Sequence, residues 1–211
     1  MVIKKLYLLQ KKDLNKASRV TTRAFHNDPL IRLVYPNDDE RRRYSPYLWK
    51  YLLLDGIRYG EVYSPTSKIE GTAKWLPPGK EHMGIWRSLR SGALSMSRMV
   101  SKQKDERVLS IRKIAEITNQ VIELHKTLVT EPHWYLANIG VDPEHQGKGF
   151  GSKLIKPMLK RIENEGFPVF LETNFEENVA LYEHLGFEVI DERTVPDTDI
   201  TNWAMLKDNR I

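Results

Sequence analysis

Leu136-Ala137-Asn138-Ile139-Gly140-Val141-Asp142-Pro143-Glu144-His145-Gln146-Gly147-Lys148-Gly149-Phe150-Gly151-Ser152-Lys153-Leu154-Ile155 is the stretch on which the reading turns. An extended run reaches Val141, Asp142-Pro143-Glu144 turns the chain, three alternating glycines follow, and a helix begins. The first turn of a helix leaves N–H groups without partners and carries the positive end of its dipole. Glycines let backbone approach a ligand closely and permit left-handed conformations. Together they make an anion site suited to phosphate oxygens, to which Lys148 adds charge. The spacing G-x-G-x-G is neither the dinucleotide G-x-G-x-x-G nor the ATP-binding G-x-x-x-x-G-K. By itself it also fits a tight strand-to-helix turn with no ligand.

Downstream, strand and helix alternate. Trp134 to Val141 reads as a strand, Gly149 to Glu165 as a helix and Phe167 to Glu172 as a strand. Glu176 to Leu185 reads as a helix stopped by Gly186, and Phe187 to Val195 and Asn202 to Lys207 as final strands. The class is therefore α/β. Upstream, Met1 to Leu9 reads as a first strand, and Asp13 as the cap of a helix through Phe25, broken at Asn27-Asp28-Pro29. A second helix runs from about Glu40 to Tyr59 and ends at Gly60, followed by strands Glu61 to Ser64 and Lys68 to Leu76. Residues 81 to 130 look helical, most clearly from Asp105 to Thr127, where apolar residues recur at alternating three and four. His125 on that face reads as a packing residue rather than a ligand.

With these elements placed, the chain resembles a known family. Gln146-Gly147-Lys148-Gly149-Phe150-Gly151 is similar to the Q/R-x-x-G-x-G/A motif of the GNAT acetyltransferases, and Ile139-Gly140-Val141-Asp142-Pro143 to their preceding strand and turn. Asn174, Asn178, Ala180, Leu181-Tyr182 and Leu185-Gly186-Phe187 resemble the family's second motif with slightly different spacing. The likeness is specific over about Trp134 to Val189; over residues 1 to 130 only the order of elements agrees. Among members, the small-molecule, puromycin acetyltransferase-like type is the most similar. The resemblance implies one domain over 1–211 with a GNAT fold: a mixed, twisted sheet of about six or seven strands flanked by helices, with an extra helical insertion at about 81–130 before strand four. It implies acetyl-CoA as co-substrate, held by Ile139, Gly140, Val141, Gln146, Gly147, Lys148, Gly149, Phe150, Gly151, Ser152, Asn174, Asn178 and Tyr182. Strands four and five are expected to splay and admit the pantetheine arm, which pairs with backbone of Ile139 and Val141. The Ile139 N–H is expected to face the thioester oxygen.

The implied chemistry is direct attack of a neutral amine on the thioester, with proton removal from the amine and protonation of the leaving thiolate. Tyr182 matches the tyrosine that serves as general acid; a phenol is protonated at neutral pH. In histone-modifying members a glutamate lies on strand four, where this chain has Tyr135, a poor base. His133, Glu172, Glu70 and His26 are the substitutes, with Glu172 at the strand end beside the splay. A water relay needs no dedicated base, and the expectation is that the role is distributed. Phe25, Tyr35, Tyr44 and Trp49 are candidates to line a pocket for a bulky amine, or simply pack the second helix.

Bulk properties bound the rest. Cysteine is absent from the 211 residues, which excludes disulfides, thiolate zinc sites and a cysteine nucleophile. The net charge of +5 suits a polyanionic ligand, but no cluster of basic and stacking aromatic residues points to nucleic acid. No apolar run approaches a membrane span and the start lacks a signal-peptide pattern. The expectations are a cytoplasmic enzyme, monomer or homodimer, acting on a small-molecule amine without a metal. The alternatives are acetylation of a protein lysine or N-terminus, and a coenzyme A-binding sensor module without turnover.

Overall fold

A computed structural model describes residues 3, 5–94, 119 and 122–210. Strand β1 spans Tyr7–Leu8, and a 3-10 turn at Lys11–Asp13 leads into α1, Leu14–Ala24. Helices α2 (Pro29–Val34) and α3 (Asp38–Tyr59) follow, then strands β2 (Glu61–Ser64) and β3 (Gly71–Leu76) and helix α4 (Ile85–Ser91). Residues 122–128 are helical (α5). Strand β4 (Trp134–Val141), a 3-10 turn at Pro143–His145 and α6 (Phe150–Glu165) come next. Strand β5 (Val169–Thr173), α7 (Glu176–Glu183), β6 (Glu188–Thr194) and β7 (Thr201–Lys207) close the chain.

Seven strands form one mixed sheet in the order β1-β2-β3-β4-β5-β7-β6. Strands β4 and β5 pair in parallel; every other neighbouring pair is antiparallel. Side chains alternate between the faces of a strand, so Val62 and Tyr63 enter different cores. Tyr63, Trp75, Leu136, Leu171 and Met205 pack with Leu154, Met158 and Ile162 of α6. Val62 packs with Leu14, Ala17 and Val20 of α1 and Leu53 of α3. A third cluster joins Ile31, Val34 and Tyr35 to Tyr44, Leu48 and Trp49.

Several boundaries differ from the sequence reading for local reasons. Asp13 does not cap α1 with its side chain; its Oδ2 instead accepts from the Gln10 N–H at 2.9 Å and the Tyr7 hydroxyl at 3.0 Å. Asp28-Pro29 ends α1 but also starts α2: Asp28 Oδ1 accepts the Ile31 N–H at 3.1 Å and Pro29 occupies the first turn. Helix α3 begins earlier than Glu40, because Asn37 Oδ1 accepts the Glu40 N–H. Strand β3 begins at Gly71 rather than Lys68, since Ile69 adopts a left-handed φ of 59°. Of the strand expected from Met1 to Leu9, residues 1, 2 and 4 lie outside the described residues, and β1 spans Tyr7–Leu8 among the rest. Most of the helix expected from Asp105 to Thr127, and with it most of the insertion, lies outside the described residues.

The C-terminal end of α1 sits directly on β4. Thr21 Oγ1 shares a 2.9 Å hydrogen bond with Thr72 Oγ1 of β3, and the Arg23 guanidinium pairs with Asp142 just past β4. Gly140 makes this approach possible: a Cβ there would lie 2.6 Å from Phe25 Cε2 and 2.9 Å from the Ala24 Cβ. Gly140→Ala should therefore overpack the contact and cost about 1–3 kcal/mol. A urea-unfolding midpoint equal to wild type would show that α1 yields freely.

Candidate active site

Strands β4 and β5 stay paired through Trp134↔Val169, Tyr135↔Phe170 and Leu136↔Leu171, and then part. On its other edge β4 keeps its partner β3 as far as Val141. The Asp142 N–H donates to Glu70 O there, and the Gly140 carbonyl lies against Gly71. By strand alternation the backbone groups of Ile139 and Val141 face the gap. In a closed sheet these would be paired; here the Val141 carbonyl accepts from Gln146 Nε2 at 3.2 Å.

A cavity lies on each side of the sheet at this gap. The smaller, ≈ 300 Å³, runs along the start of α6 and is lined by Ile139 to Val141, Gln146, Gly147, Gly149 to Ser152, Asn178 and Tyr182. Gly147 and Gly149 have φ of 73° and 76°, conformations that side chains rarely adopt. Gly149 is the N-cap of α6 with no side-chain cap, and no acidic residue sits in the first turn. A Cβ at Gly147, Gly149 or Gly151 would meet no heavy atom within 4 Å. The protein leaves that space open in front of unpaired N–H groups and a positive dipole end, which is how a phosphate is received. Lys148 Nζ donates to the Glu144 carbonyl at 2.8 Å, so it braces the turn. Leu181 and Leu185 of the second motif, with His145 and Ile155, which neither motif flagged, complete the walls.

The larger cavity, ≈ 680 Å³, opens on the α1–α3 face. It shares Ile139, Gly140, Val141, Gln146, Asn178 and Tyr182 with the smaller one. Phe25 and Trp49, with ring centroids 4.5 Å apart, form part of its wall; Tyr35 and Tyr44 do not line it and pack in the third cluster. Asn174 lines only this cavity, its Nδ2 donating to Thr201 O at 2.9 Å, so it stands apart from the other expected coenzyme contacts. Trp49 Nε1, Asn138 Oδ1, Glu172 Oε1 and Asn202 Oδ1 are buried here without hydrogen-bond partners among the described residues. Buried polar atoms are rarely left unpaired, and four of them belong to residues that line this one cavity.

The geometry separates the four candidate bases. His26 Nε2 is bound to Asp38 at 2.7 Å, and Glu70 Oε1 accepts from Thr66. His133 lies 2.6 Å from His125 Nε2 and from Glu131 O. None of these three lines either cavity. Glu172 does. Its Oε2 accepts from the Tyr135 hydroxyl at 2.8 Å and its Oε1 is shut off from solvent with no partner. Burial pushes its carboxyl up to about 7, against a smaller downward pull from Tyr135. Tyr182 lies 7% exposed where the cavities meet, its hydroxyl making no hydrogen bond among the described residues, and burial raises the phenol to about 12. His125 is a packing residue, stacked 4.1 Å from Phe170. Among the described residues no group of three or more His, Cys, Asp or Glu is arranged to hold a metal ion. No described helix is long and apolar enough to cross a membrane.

Gly151 has an ordinary φ, so a substitution there tests the pocket without backbone strain. Gly151→Asp should weaken coenzyme A binding at least about tenfold, by setting a carboxylate against phosphate at a helix start. Unchanged affinity by calorimetry, in a variant with wild-type circular dichroism, would remove the phosphate assignment.

Residues 99–187 match the model of the acetyltransferase (GNAT) family. An uncharacterized N-acetyltransferase of Schizosaccharomyces pombe is 29% identical over 184 residues, covering 85% of this chain and 72% of that protein. In fold, the chain is similar to a structure described as histone acetyltransferase HPA2 and related acetyltransferase from Corynebacterium glutamicum, with a TM-score of 0.70 at 20% identity over 98% and 97% of the two chains. It is also similar to arylalkylamine N-acetyltransferase 2 of Aedes aegypti, with a TM-score of 0.60 at 18% identity over 97% and 98%. With a sheet that opens between its parallel strands onto a glycine-lined helix start, the chain has the fold of these acetyltransferases, and residues 99–187 are similar to the GNAT family, whose members move an acetyl group onto an amine.

Proposed function

We propose that the protein transfers an acetyl group from acetyl-CoA to a small-molecule amine, with Glu172 as general base and Tyr182 as general acid. The observation that carries this reading is the pair of cavities meeting at the β4–β5 gap, with Tyr182 in the wall of both and Glu172 in the wall of the larger. The smaller cavity suits coenzyme A: Gly147 to Ser152 would hold the pyrophosphate, and Ile139 and Val141 backbone the pantetheine arm. Bound there, acetyl-CoA supplies the activated acyl group. The ≈ 680 Å³ volume of the larger cavity, with Phe25 and Trp49 in its wall, favours an acceptor that enters whole over a side chain presented by a protein.

The residues then have defined work. Glu172 Oε1 takes the proton as the amine nitrogen forms its bond to the acyl carbon. The Ile139 N–H donates toward the thioester oxygen, where charge accumulates. As the carbon–sulfur bond breaks, the Tyr182 hydroxyl donates its proton to sulfur and is restored from solvent. Burial raises a thiol as it raises a phenol, so donor and acceptor stay matched although Tyr182 is pushed to about 12. Tyr135, which occupies the strand-four position, serves by holding Glu172 Oε2 and so leaves Oε1 as the oxygen without a partner.

A base of raised pKa is competent when deprotonated, so the rate should climb as pH rises through about 7. Glu172→Gln should cost about 10²–10⁴-fold in kcat and erase that limb, leaving only the limb of the acceptor's own amine. A loss below tenfold with the profile intact would restore a distributed or water-relayed base. Tyr182→Phe removes a proton donor and little volume. It should lower kcat about 10–100-fold while coenzyme A affinity by calorimetry stays near wild type; full turnover at saturating acceptor would reduce Tyr182 to a packing residue.

A further inference from the structure

We infer that the end of the larger cavity around Lys74 is an anion subsite, so that the acceptor is an amine that also carries an anionic group. This rests on reading that cavity as the acceptor site. Lys74 stands mid-strand in β3 between Ala73 and Trp75, both wholly buried, and is itself 4% exposed. Gly56 of α3 packs on its stem; a Cβ there would lie 2.9 Å from Lys74 Cγ. Lys74 Nζ donates to Asp55 Oδ2 at 2.9 Å, and that is its one hydrogen bond among the described residues. An ammonium has three N–H groups, so two remain for a ligand.

The charges around it do not balance. Asp55, wholly buried, also accepts from Arg87 Nε at 2.6 Å, Arg87 Nη2 at 2.7 Å and Ser91 Oγ at 3.2 Å. Arg87 spends its Nη1 on the carbonyls of Lys80 and His82. Two cations thus share one carboxylate, which leaves one positive charge in excess. A buried ion without a counterion is costly, and burial accordingly pulls Lys74 below the ordinary lysine range despite Asp55. A ligand anion would supply the missing partner.

Lys74, Asp55 and Arg87 all line the cavity that holds Glu172. Lys74 lies opposite Asn138 in the β3–β4 register, and Asn138 Oδ1 is one of the unpaired atoms. The two ends of an amide are exchangeable by a flip, so Asn138 can turn N–H toward the same anion. Glu172 lies on β5, two strand spacings away, or roughly 10 Å across the sheet. None of the other carboxylates that line the cavity is paired with Lys74 or Arg87 among the described residues. Asp28 accepts from the Ile31 N–H and Glu81 from the Gly79 N–H, while Glu177 is exposed. The cavity therefore has a base at one end and, at the other, a buried lysine that shares its one carboxylate with an arginine, with the Phe25–Trp49 wall beside them.

The test compares matched acceptors, benzylamine against 4-(aminomethyl)benzoate and its phosphonate analogue, with wild type and Lys74→Met. Thiol release gives kcat and KM, and calorimetry on the coenzyme A-saturated protein gives affinity without turnover. Wild type should favour an anionic member at least about tenfold, mainly through KM, in line with a hydrogen bond to a charged group. The stronger of the carboxylate and phosphonate names the anion. In Lys74→Met that ratio should collapse toward one; a ratio within one variant cancels any general loss of activity. Equal affinities of wild type for benzylamine and both anionic analogues would overturn the subsite, whatever the turnover. A Lys74→Met protein that loses stability and all acceptors alike would mark Lys74 as a structural cation and overturn it too. Tighter anion binding with no thiol release from any amine would leave the subsite standing and remove the acetyl-transfer reading.

Discussion

The parting of β4 from β5 beyond Leu136 and Leu171 is the constraint from which the site follows. A strand that loses a neighbour exposes unpaired backbone groups, which ordinary sheets cover or pair. Here the loss is held open from both sides. Strand β5 keeps β7 through Thr173, and β4 keeps β3 through Val141, so neither can swing across to close the gap. The Arg23–Asp142 pair and the α1 contact at Gly140 fix the far end of β4. The opening is therefore a property of the folded sheet, and it needs no ligand to create it.

A gap through a sheet lets two substrates approach from opposite faces. The larger cavity lies on the side of α1 and α3, the smaller along α6 and α7, and they share the backbone of Ile139 to Val141 and the ring of Tyr182. Each reactant can enter by its own route and meet the other at the strand break. Such an arrangement favours direct transfer in a ternary complex, since no residue has to carry the acyl group between sites. It also accounts for the proposed base and acid lying on different elements: Glu172 on β5 lines the larger cavity, and Tyr182 on α7 stands where the two meet.

The sequence exposed the part of this architecture that is local. Strand β4, bounded by Pro132 and Pro143, ran as read, and the glycine turn sat at the start of α6. Local rules failed where one residue pair has two uses. Asp28-Pro29 was legible as a helix stop, but the same carboxylate and ring start α2. The proposed base could not be singled out in the sequence, because what sets Glu172 apart is Tyr135, a partner 37 positions away, and a cavity that His26, Glu70 and His133 do not line. Lys74, Asp55 and Arg87 escaped notice for a similar reason: their contacts span 19 and 32 positions. One signal was available. A lysine inside the strand Gly71–Leu76, flanked by Ala73 and Trp75, is out of place unless something inside the protein needs its charge.

His125 gives the base a further dependence. Its ring stacks on Phe170 and stands edge-on, 4.7 Å away, to Tyr135, whose hydroxyl holds Glu172. The helix that carries His125 belongs to the long stretch between β3 and β4, outside the strands that frame the chemistry. Replacements on that helix can thus shift the tilt of Tyr135, and through it the basicity of Glu172, with every cavity-lining residue unchanged. Relatives that keep the same sheet and the same glycine turn are free to set different working pH ranges by varying positions of this helix that line neither cavity.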